Sequence, residues 1–582
     1  MLTRPVGSDE GSILPRPLAK GCRSLRDPMR GARARDARPV PALSRPLPSA
    51  MAIRIRDLRC SSRDDAEGWA LAAATRLGLG RAAIRRLSLV RRSLDARSRP
   101  PRWVVTVDVE VEGEEAVLAA APRRDVARAP APTPPFAIGR RRGEVQPVVI
   151  GAGPAGLFAV MTFLEAGVVP RVIERGHEVE RRSRDVARFF RGGAFDPESN
   201  IQFGEGGAGT FSDGKLYTRR RDADLERVLR RFVEFGAPSE ILTDGRPHIG
   251  TDRLRDVLRN LRATFREAGV VLDYGRRAER FEVRRGRLEE LMVSGGAVLR
   301  PPAAILAAGH SARDTFTELA RAGVALEAKP FAIGVRIEHP QWCVDVARYG
   351  ARRESKTGTP LPPADYNLTA QAAGRGVYTF CMCPGGRILA ATSETGAVVT
   401  NGMSAHSRAA PRANSGVVVS VDPADFGGDG GDPLAGVAFQ RRWEEAAFEL
   451  GGGDYHAPAQ RLVDFLASRP SSEPLRSSYR PGVRPTALEG CLPPWVIEPL
   501  REGLRRFGAQ MPGFVNEEAV LVGVETRTSS PVRIPRTAGG EALGTAGLFP
   551  AGEGAGYAGG ITTAALDGVR AARHVLAALG LS

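Results

Sequence analysis

Hydrophobic and polar positions change period several times along the chain, and each change marks an element. Residues 53–58 (IRIRDL) alternate with period two and predict a strand. Over 64–77 the period lengthens to that of a helix, with Trp69, Ala73 and Leu77 on one face. AIRRLSLVRRSLD (83–95) and WVVTVDVEV (103–111) read as two more strands. In the second, Val105, Val107, Val109 and Val111 alternate with Val104, Thr106, Asp108 and Glu110. These elements predict a small α+β module over 51–120 that carries no site. A linker rich in Pro, Ala and Arg follows over 121–146.

At Pro147 the pattern becomes continuously apolar. Val148, Val149 and Ile150 predict a buried parallel strand, followed by Gly151-Ala152-Gly153-Pro154-Ala155-Gly156. The first glycine of G-x-G-x-x-G allows a tight turn, the second lets a pyrophosphate reach the backbone, and the third lets helix and strand touch. The helix is expected to run to Leu164 and stop at Gly167, with its N-terminal amides and dipole on the phosphates. A second strand, 171–173, ends in Glu174, where a carboxylate accepts hydrogen bonds from ribose hydroxyls. This unit serves FAD and NAD alike.

Further on, Leu225, Val228, Leu229 and Phe232 mark one helix. Leu254, Val257, Leu258, Leu261 and Phe265 mark another, which starts at Thr251 and Asp252 and stops at Gly269. VVLDY, RFEVRR and LEELMV then predict a strand and a hairpin turning at Gly286. Residues 331–520 read as a second region of mixed strands and loops. Its FGGDGGDP (426–433) is expected to be a loop that no strand enters and no helix leaves.

Composition adds limits. The 582 residues suffice for two to four domains, and 42% hydrophobic residues place the chain in the globular class. No apolar run reaches the roughly 18 residues of a membrane helix, and a secretory leader pattern is missing. Six scattered cysteines make no disulfide framework, so a reduced, cytoplasmic protein is expected. The net charge is +17, but +6 of it lies in residues 1–50, which hold no apolar period. That stretch is expected to be a disordered basic extension; an organelle-targeting peptide or a nucleic-acid arm are the alternatives.

Three more stretches separate FAD from NAD. AAILAAGHSARDTF (303–316) resembles the strand-to-loop segment of the two-dinucleotide flavoprotein superfamily. GLFPAGEGAGYAGGITTAALDG (547–568) resembles its closing motif, with Glu553 where an Asp is usual. NIQFGEGGAGTFSDGKL (200–216) is a glycine-rich loop suited to a flat ligand. With PFAIGVRIEHPQ, FCMCPGG, TNGMSAHSR and ETRTSSPVRI, residues 147–582 resemble the uncharacterised FAD-dependent dehydrogenases, and module 51–120 resembles that family's N-terminal domain.

The resemblance implies an α/β fold with a discontinuous Rossmann-type FAD-binding domain at 147–330 and 521–582, and a mixed α+β substrate domain inserted at 331–520. It implies FAD contacts from Gly151, Gly153, Pro154, Ala155, Gly156 and Glu174, from Gly207 and Thr210, from Ala308 and Gly309, and from Gly552 and Glu553. Gly559, Gly560 and Ile561 would face the flavin ring, where a helix N-terminus favours the negative charge of the reduced form. A second dinucleotide unit is missing, so NAD(P)H is expected only as a transient donor, if the substrate does not itself supply the electrons.

The implied activity is an FAD-dependent oxidoreductase acting on a small molecule, since flavin carries the chemistry and the protein positions and tunes it. A flavin-dependent RNA-modifying enzyme and a non-catalytic flavin sensor are the rival readings; neither nucleic acid nor a membrane is the expected partner. Lys215 is a candidate charge beside the flavin, or a surface lysine in a turn. Arg527, near Glu525, is a candidate anion clamp or an inter-domain ion pair. His406 is a proton carrier or a satisfied loop histidine. Cys381-x-Cys383 is a redox pair or simply packed, and with no second cysteine pair it makes no metal site.

Overall fold

The computed structural model describes residues 52–60, 63–97, 101–120, 124–218, 221–350, 361–472 and 474–581. The stretch expected to be disordered, 1–50, lies outside them.

The N-terminal module is a four-stranded antiparallel sheet ordered Arg86–Asp95, Arg102–Glu110, Ile53–Cys60, Val126–Arg128, with helix Ala66–Leu77 on one face. Its core is the expected one: Ile53, Ile55, Trp69, Ala73, Leu77, Val105, Val107 and Val109 are buried. Asp108, on the polar side of the alternation, is also buried, because Arg54 grips it with two hydrogen bonds of 2.8 and 2.9 Å. The edge strand Val126–Arg128 corrects the linker reading of 121–146: it is three residues long, too short to show a period, and it pairs with Ile53–Ile55. Further along, Gly139 N donates to Leu164 O and Arg142 N to Gly167 O.

The second sheet is wholly parallel, ordered Leu548–Pro550, Ala304–Leu306, Val148–Ile150, Arg171–Glu174, Val271–Tyr274. Four of these strands lie within 148–306; the chain then leaves and returns at 548 to add the fifth. The three strands Leu548–Pro550, Ala304–Leu306 and Val148–Ile150 are apolar and buried throughout, as strands covered on both faces require, while the edge strand Val271–Tyr274 is only partly buried. Helix Pro154–Glu165 and helix Ile561–Ala578 pack together closely, since a Cβ on Gly568 would lie 2.0 Å from Ala155 O.

Between the two passes lies a seven-stranded sheet. Its order is Thr369–Ala372, Arg375–Cys383, Arg412–Val421, Phe331–Pro340, Val520–Glu525, Ala457–Arg461, Val483–Pro485. The central strand Phe331–Pro340 is buried along its whole length. Val520–Glu525 pairs with Phe331–Pro340 on one side and with Ala457–Arg461 on the other, so it belongs here and not with the nucleotide sheet, as a boundary at 521 had it. Its apolar run VLVGVE is buried at every position and fits only between two strands.

Helices Ala435–Leu450 and Pro494–Gln510 cover this sheet, in a region expected to be strands and loops. The FGGDGGDP reading is likewise overturned: strand Arg412–Val421 leads into that stretch through a 3₁₀ turn, and helix Ala435–Leu450 leaves it. Pro433 and the glycines hid the helix start, and the apolar face of the helix is interrupted by buried Gln440 and Glu444. Among the described residues no helix is long and apolar enough to cross a membrane.

Candidate functional site

The carboxyl ends of the parallel strands open into a cavity of about 620 Å³. That lies within the roughly 300–1,000 Å³ of ligand pockets, and it is where open α/β sheets bind ligands. Its walls bring together Gly151, Gly153, Pro154 and Ala155, Glu174, Gly207, Ala308 and Gly309, Gly552 and Glu553, and Gly559, Gly560 and Ile561. Lys215 and Arg527 line it as well.

The first loop uses its glycines differently. Gly151 has φ +103, and a Cβ there would lie 2.4 Å from Ala307 O. A Cβ on Gly156 would lie 1.9 Å from Gly151 O, so this position joins helix to strand. Gly153 is open: the nearest atom to a Cβ there is Gly207 Cα at 3.8 Å. This is a backbone edge bared to the cavity at the N-terminus of helix Pro154–Glu165, a ready site for an anion. Positions 309, 559 and 560 are also free of neighbours.

Two expected contacts do not reach the cavity wall. Gly156 lies beneath the loop. Thr210 is buried behind it, donating to Glu205 O at 2.9 Å and accepting from Arg182, while its carbonyl accepts from the Thr251 hydroxyl. Glu174 reaches the cavity, but its carboxylate also serves the protein. It accepts from Ala152 N at 2.8 Å, Gly176 N at 2.8 Å and Gly204 N at 2.9 Å, and so ties three loops together.

Arg182, which no sequence motif singles out, shapes the glycine-rich loop. It is fully buried and donates to the carbonyls of Asn200, Ile201 and Glu205 at 2.7–2.8 Å. Burial pulls its pKa down to about 9 against the pull of Glu174 and Glu205. Asp567 does the same for the closing loop, accepting from Gly552 N at 2.8 Å and pairing with Arg536. Its place in the closing helix, fifteen residues beyond Gly552, was the one sequence signal available.

At the seam with the seven-stranded sheet, Arg527 is an ion pair and not an open clamp. Its Nε and Nη2 donate to Glu444 at 3.0 and 2.7 Å, and its Nη1 donates to Ser311 at 3.0 Å and to Ser393. Arg313 holds the same carboxylate at 2.7 and 2.9 Å. Burial opposes charge on Glu444, but the two guanidinium groups outweigh it and hold the carboxyl well below its usual range.

His406 lies off the cavity, its Nδ1 facing Ile249 O at 3.1 Å. His310, at the end of strand Ala304–Leu306, faces Glu553 at 3.7 Å. Burial and the neighbouring Arg527 push its pKa down to about 3, so it is neutral. Glu553 is pushed up to about 7 by burial, with Lys329 opposing.

Lys215 is not a surface lysine. Its ammonium is 3.4 Å from Asp213 and 3.8 Å from the Cys383 sulfur. Burial opposes its charge, but the neighbouring cysteines and Asp213 outweigh burial and raise its pKa. Among the described residues no cluster of His, Cys, Asp and Glu is suited to a metal.

The residues fit FAD. A bared backbone edge at a helix N-terminus faces a second glycine loop, and a carboxylate stands at the strand end. A second helix start opens on the same cavity.

Comparison with known proteins agrees. Residues 330–528 match the family model described as "FAD-dependent protein, C-terminal domain-like". Residues 52–110 match a domain of unknown function, DUF8436. An uncharacterised protein of Clostridium beijerinckii is 42% identical over 532 residues, which span 90% of this chain and 99% of that one. Solved flavoproteins resemble the chain only distantly. The flavin-dependent brominase Bmp2 is 11% identical, over 74% of this chain and 79% of that one, with a TM-score of 0.31. CtdE in complex with FAD is 10% identical, over 73% and 83%, with a TM-score of 0.29. With its seven-stranded sheet matched by the family model and a relative matched almost end to end, the chain belongs to the FAD-dependent protein family.

Proposed function

We propose that the protein is an FAD-dependent oxidoreductase acting on a small molecule. One observation carries this reading: the cavity lined by the loops of the parallel sheet is also lined by Phe380 and Cys381 of the seven-stranded sheet, by Asn401 of the two-stranded sheet Gly386–Ala390 and Thr400–Ser404, and by Arg527, just past strand Val520–Glu525. A cofactor held on the first wall would thus face a substrate wall built by a different sheet.

In this proposal the loops at Gly151–Ala155 and Gly207 hold the pyrophosphate, Glu174 the adenosine ribose, and Gly552–Glu553 the ribityl chain. Bound flavin supplies two-electron chemistry. The chain's own part is to orient it, exclude water and stabilise negative charge, through the start of helix Ile561–Ala578 and the Lys215 ammonium. NAD(P)H is proposed only as a transient donor, since the described residues form a single all-parallel sheet.

The test is anaerobic reduction of the purified yellow protein by a panel of donors that includes NADPH. Bleaching by at least one donor, followed by turnover with an acceptor, supports the proposal. A flavin that no donor reduces refutes it.

A further inference from the structure

The substrate wall carries a group that the proposed function leaves unused. Strand Arg375–Cys383 breaks its pairing with Arg412–Val421 between Phe380 and Cys383, where an extra residue is accommodated. Cys381 sits in that break at φ +46, a left-handed conformation uncommon for a residue with a Cβ. The result is asymmetric. Cys381 lines the cavity, Cys383 is fully buried behind it, and the Cys383 thiol donates to Cys381 O at 3.3 Å.

The surrounding charges do not balance without a thiolate. Lys215 Nζ and Arg336 Nη2 each lie 3.8 Å from the Cys383 sulfur, and Arg336 Nη2 also donates to Cys381 O at 2.8 Å. Asp213 pairs with Arg408 at 2.9 Å and with Lys215 at 3.4 Å, while Glu525 pairs with Arg336 at 2.9 Å. Three cations therefore face two carboxylates in a buried cluster, and an uncompensated buried cation is strongly unfavourable. Of the other groups nearby, His248 is held neutral by burial, with its pKa near 4, burial raises that of Tyr217, Asp365 is matched by Arg246, and Glu553 is opposed by Lys329. One negative charge on the cysteine pair completes the balance. Consistent with this, the neighbouring Cys383, and then Lys215 and Arg336, hold Cys381 below the usual thiol range, while Cys381 and burial hold Cys383 above it.

We infer that Cys381 and Cys383 are a redox-active pair that exchanges two electrons with the flavin bound in the same cavity. This rests on the FAD-binding reading. The exchange balances as written: the Cys381 thiolate and the Cys383 thiol form an S–S bond, losing two electrons and the Cys383 proton. Oxidised flavin gains those two electrons and that proton, becoming the reduced anion. The negative charge passes from sulfur to flavin and stays within reach of Lys215.

Two measurements on the full-length protein test this. In the first, the protein is treated with diamide, denatured and alkylated with N-ethylmaleimide, and its peptides are weighed. The expected result is a Cys381–Cys383 peptide two hydrogens lighter and unalkylated, reversed by a phosphine reductant; full alkylation of both cysteines overturns the inference. In the second, oxidised FAD-loaded protein is titrated anaerobically with dithionite. Wild type should take up two more electrons per flavin than Cys381→Ser and Cys383→Ser. The Cys381 variant keeps the test open if the buried Cys383 variant does not fold. FAD-loaded wild type that matches the variants overturns the exchange alone. Protein that takes up no FAD overturns the binding reading along with it.

Discussion

Two glycines three residues apart in the first loop are expected to fail in opposite ways. A Cβ at position 156 would lie 1.9 Å from Gly151 O, inside a helix whose neighbours are buried. Relieving that overlap means moving the helix off its strand by more than about 1 Å, and overpacking of this kind costs about 1–3 kcal/mol or more. Gly156→Val, with two further methyls, should consume a large part of the roughly 5–15 kcal/mol that holds a typical domain. Position 153 has φ −78, and its nearest neighbour is 3.8 Å away, an ordinary contact. Gly153→Val should therefore change stability by no more than about 1 kcal/mol. Its methyls would nevertheless occupy the cavity edge where a pyrophosphate must touch backbone. A clash worth about 3 kcal/mol is roughly a hundredfold in Kd. The assay is thermal melting of both variants with and without added FAD, read beside flavin content. Wild type should gain stability with FAD, because a ligand that binds only the folded state raises its melting point. Gly153→Val should melt like flavin-free wild type and gain nothing. Gly156→Val should be unfolded or melt far lower. A Gly153→Val protein that purifies with full FAD refutes the reasoning.

Three further outcomes are expected. Glu444→Gln leaves Arg527 on a neutral amide in a buried site while Glu394 still pairs with Arg313, and should cost at most about 3–5 kcal/mol in urea unfolding, whereas a loss below about 1 kcal/mol would mean the cluster is solvated. Glu553 has its pKa raised from 4.5 to about 7 in the folded state, so the stability it contributes is full below the unfolded value and is lost as pH rises through about 7. In flavin-free protein that decline amounts to at most about 3 kcal/mol and should be absent from Glu553→Gln, as urea midpoints between about pH 5 and pH 8 would show. Lys215→Met keeps the stem and removes the charge; stopped-flow bleaching should be slower with FAD still bound, and an unchanged rate would remove Lys215 from the chemistry.

The glycine loop, the strand ends and the closing helix could be read directly because their function lies in the backbone, and glycine spacing encodes backbone. Side-chain ties were harder to see. Arg182 and Arg313 look like any arginine on an amphipathic helix, and only the fold shows that loop carbonyls surround one and Glu444 meets the other. Arg527 was equally open to an anion clamp or an ion pair, since one sequence cannot show that a glutamate 83 residues away occupies its fork. Strand Val126–Arg128 escaped for lack of length, and helix Ala435–Leu450 because Gln440 and Glu444 interrupt its apolar face. The boundary near 521 was misplaced because an apolar run announces a strand without naming its sheet.

The ties that were hardest to read are also those that keep the cavity open. Each sheet has a large apolar core, and apolar contact is non-directional: on its own it would tend to close the gap. An apolar cluster of Val186, Ile201 and Phe211 with Leu389, Ala391 and Val399 does cross the seam, and polar, directional links accompany it. Arg527 reaches Ser311, Arg408 reaches Asp213, Arg313 reaches Gln440 at 3.1 Å, and Gln202 reaches Ala391 O at 3.1 Å. Such bonds fix a distance, and they hold only while both partners are satisfied. A large cavity between two dense cores is thus kept by groups whose net contribution to stability is small and whose geometric demand is strict. Substitutions along this seam should therefore alter the shape of the site before they melt either core.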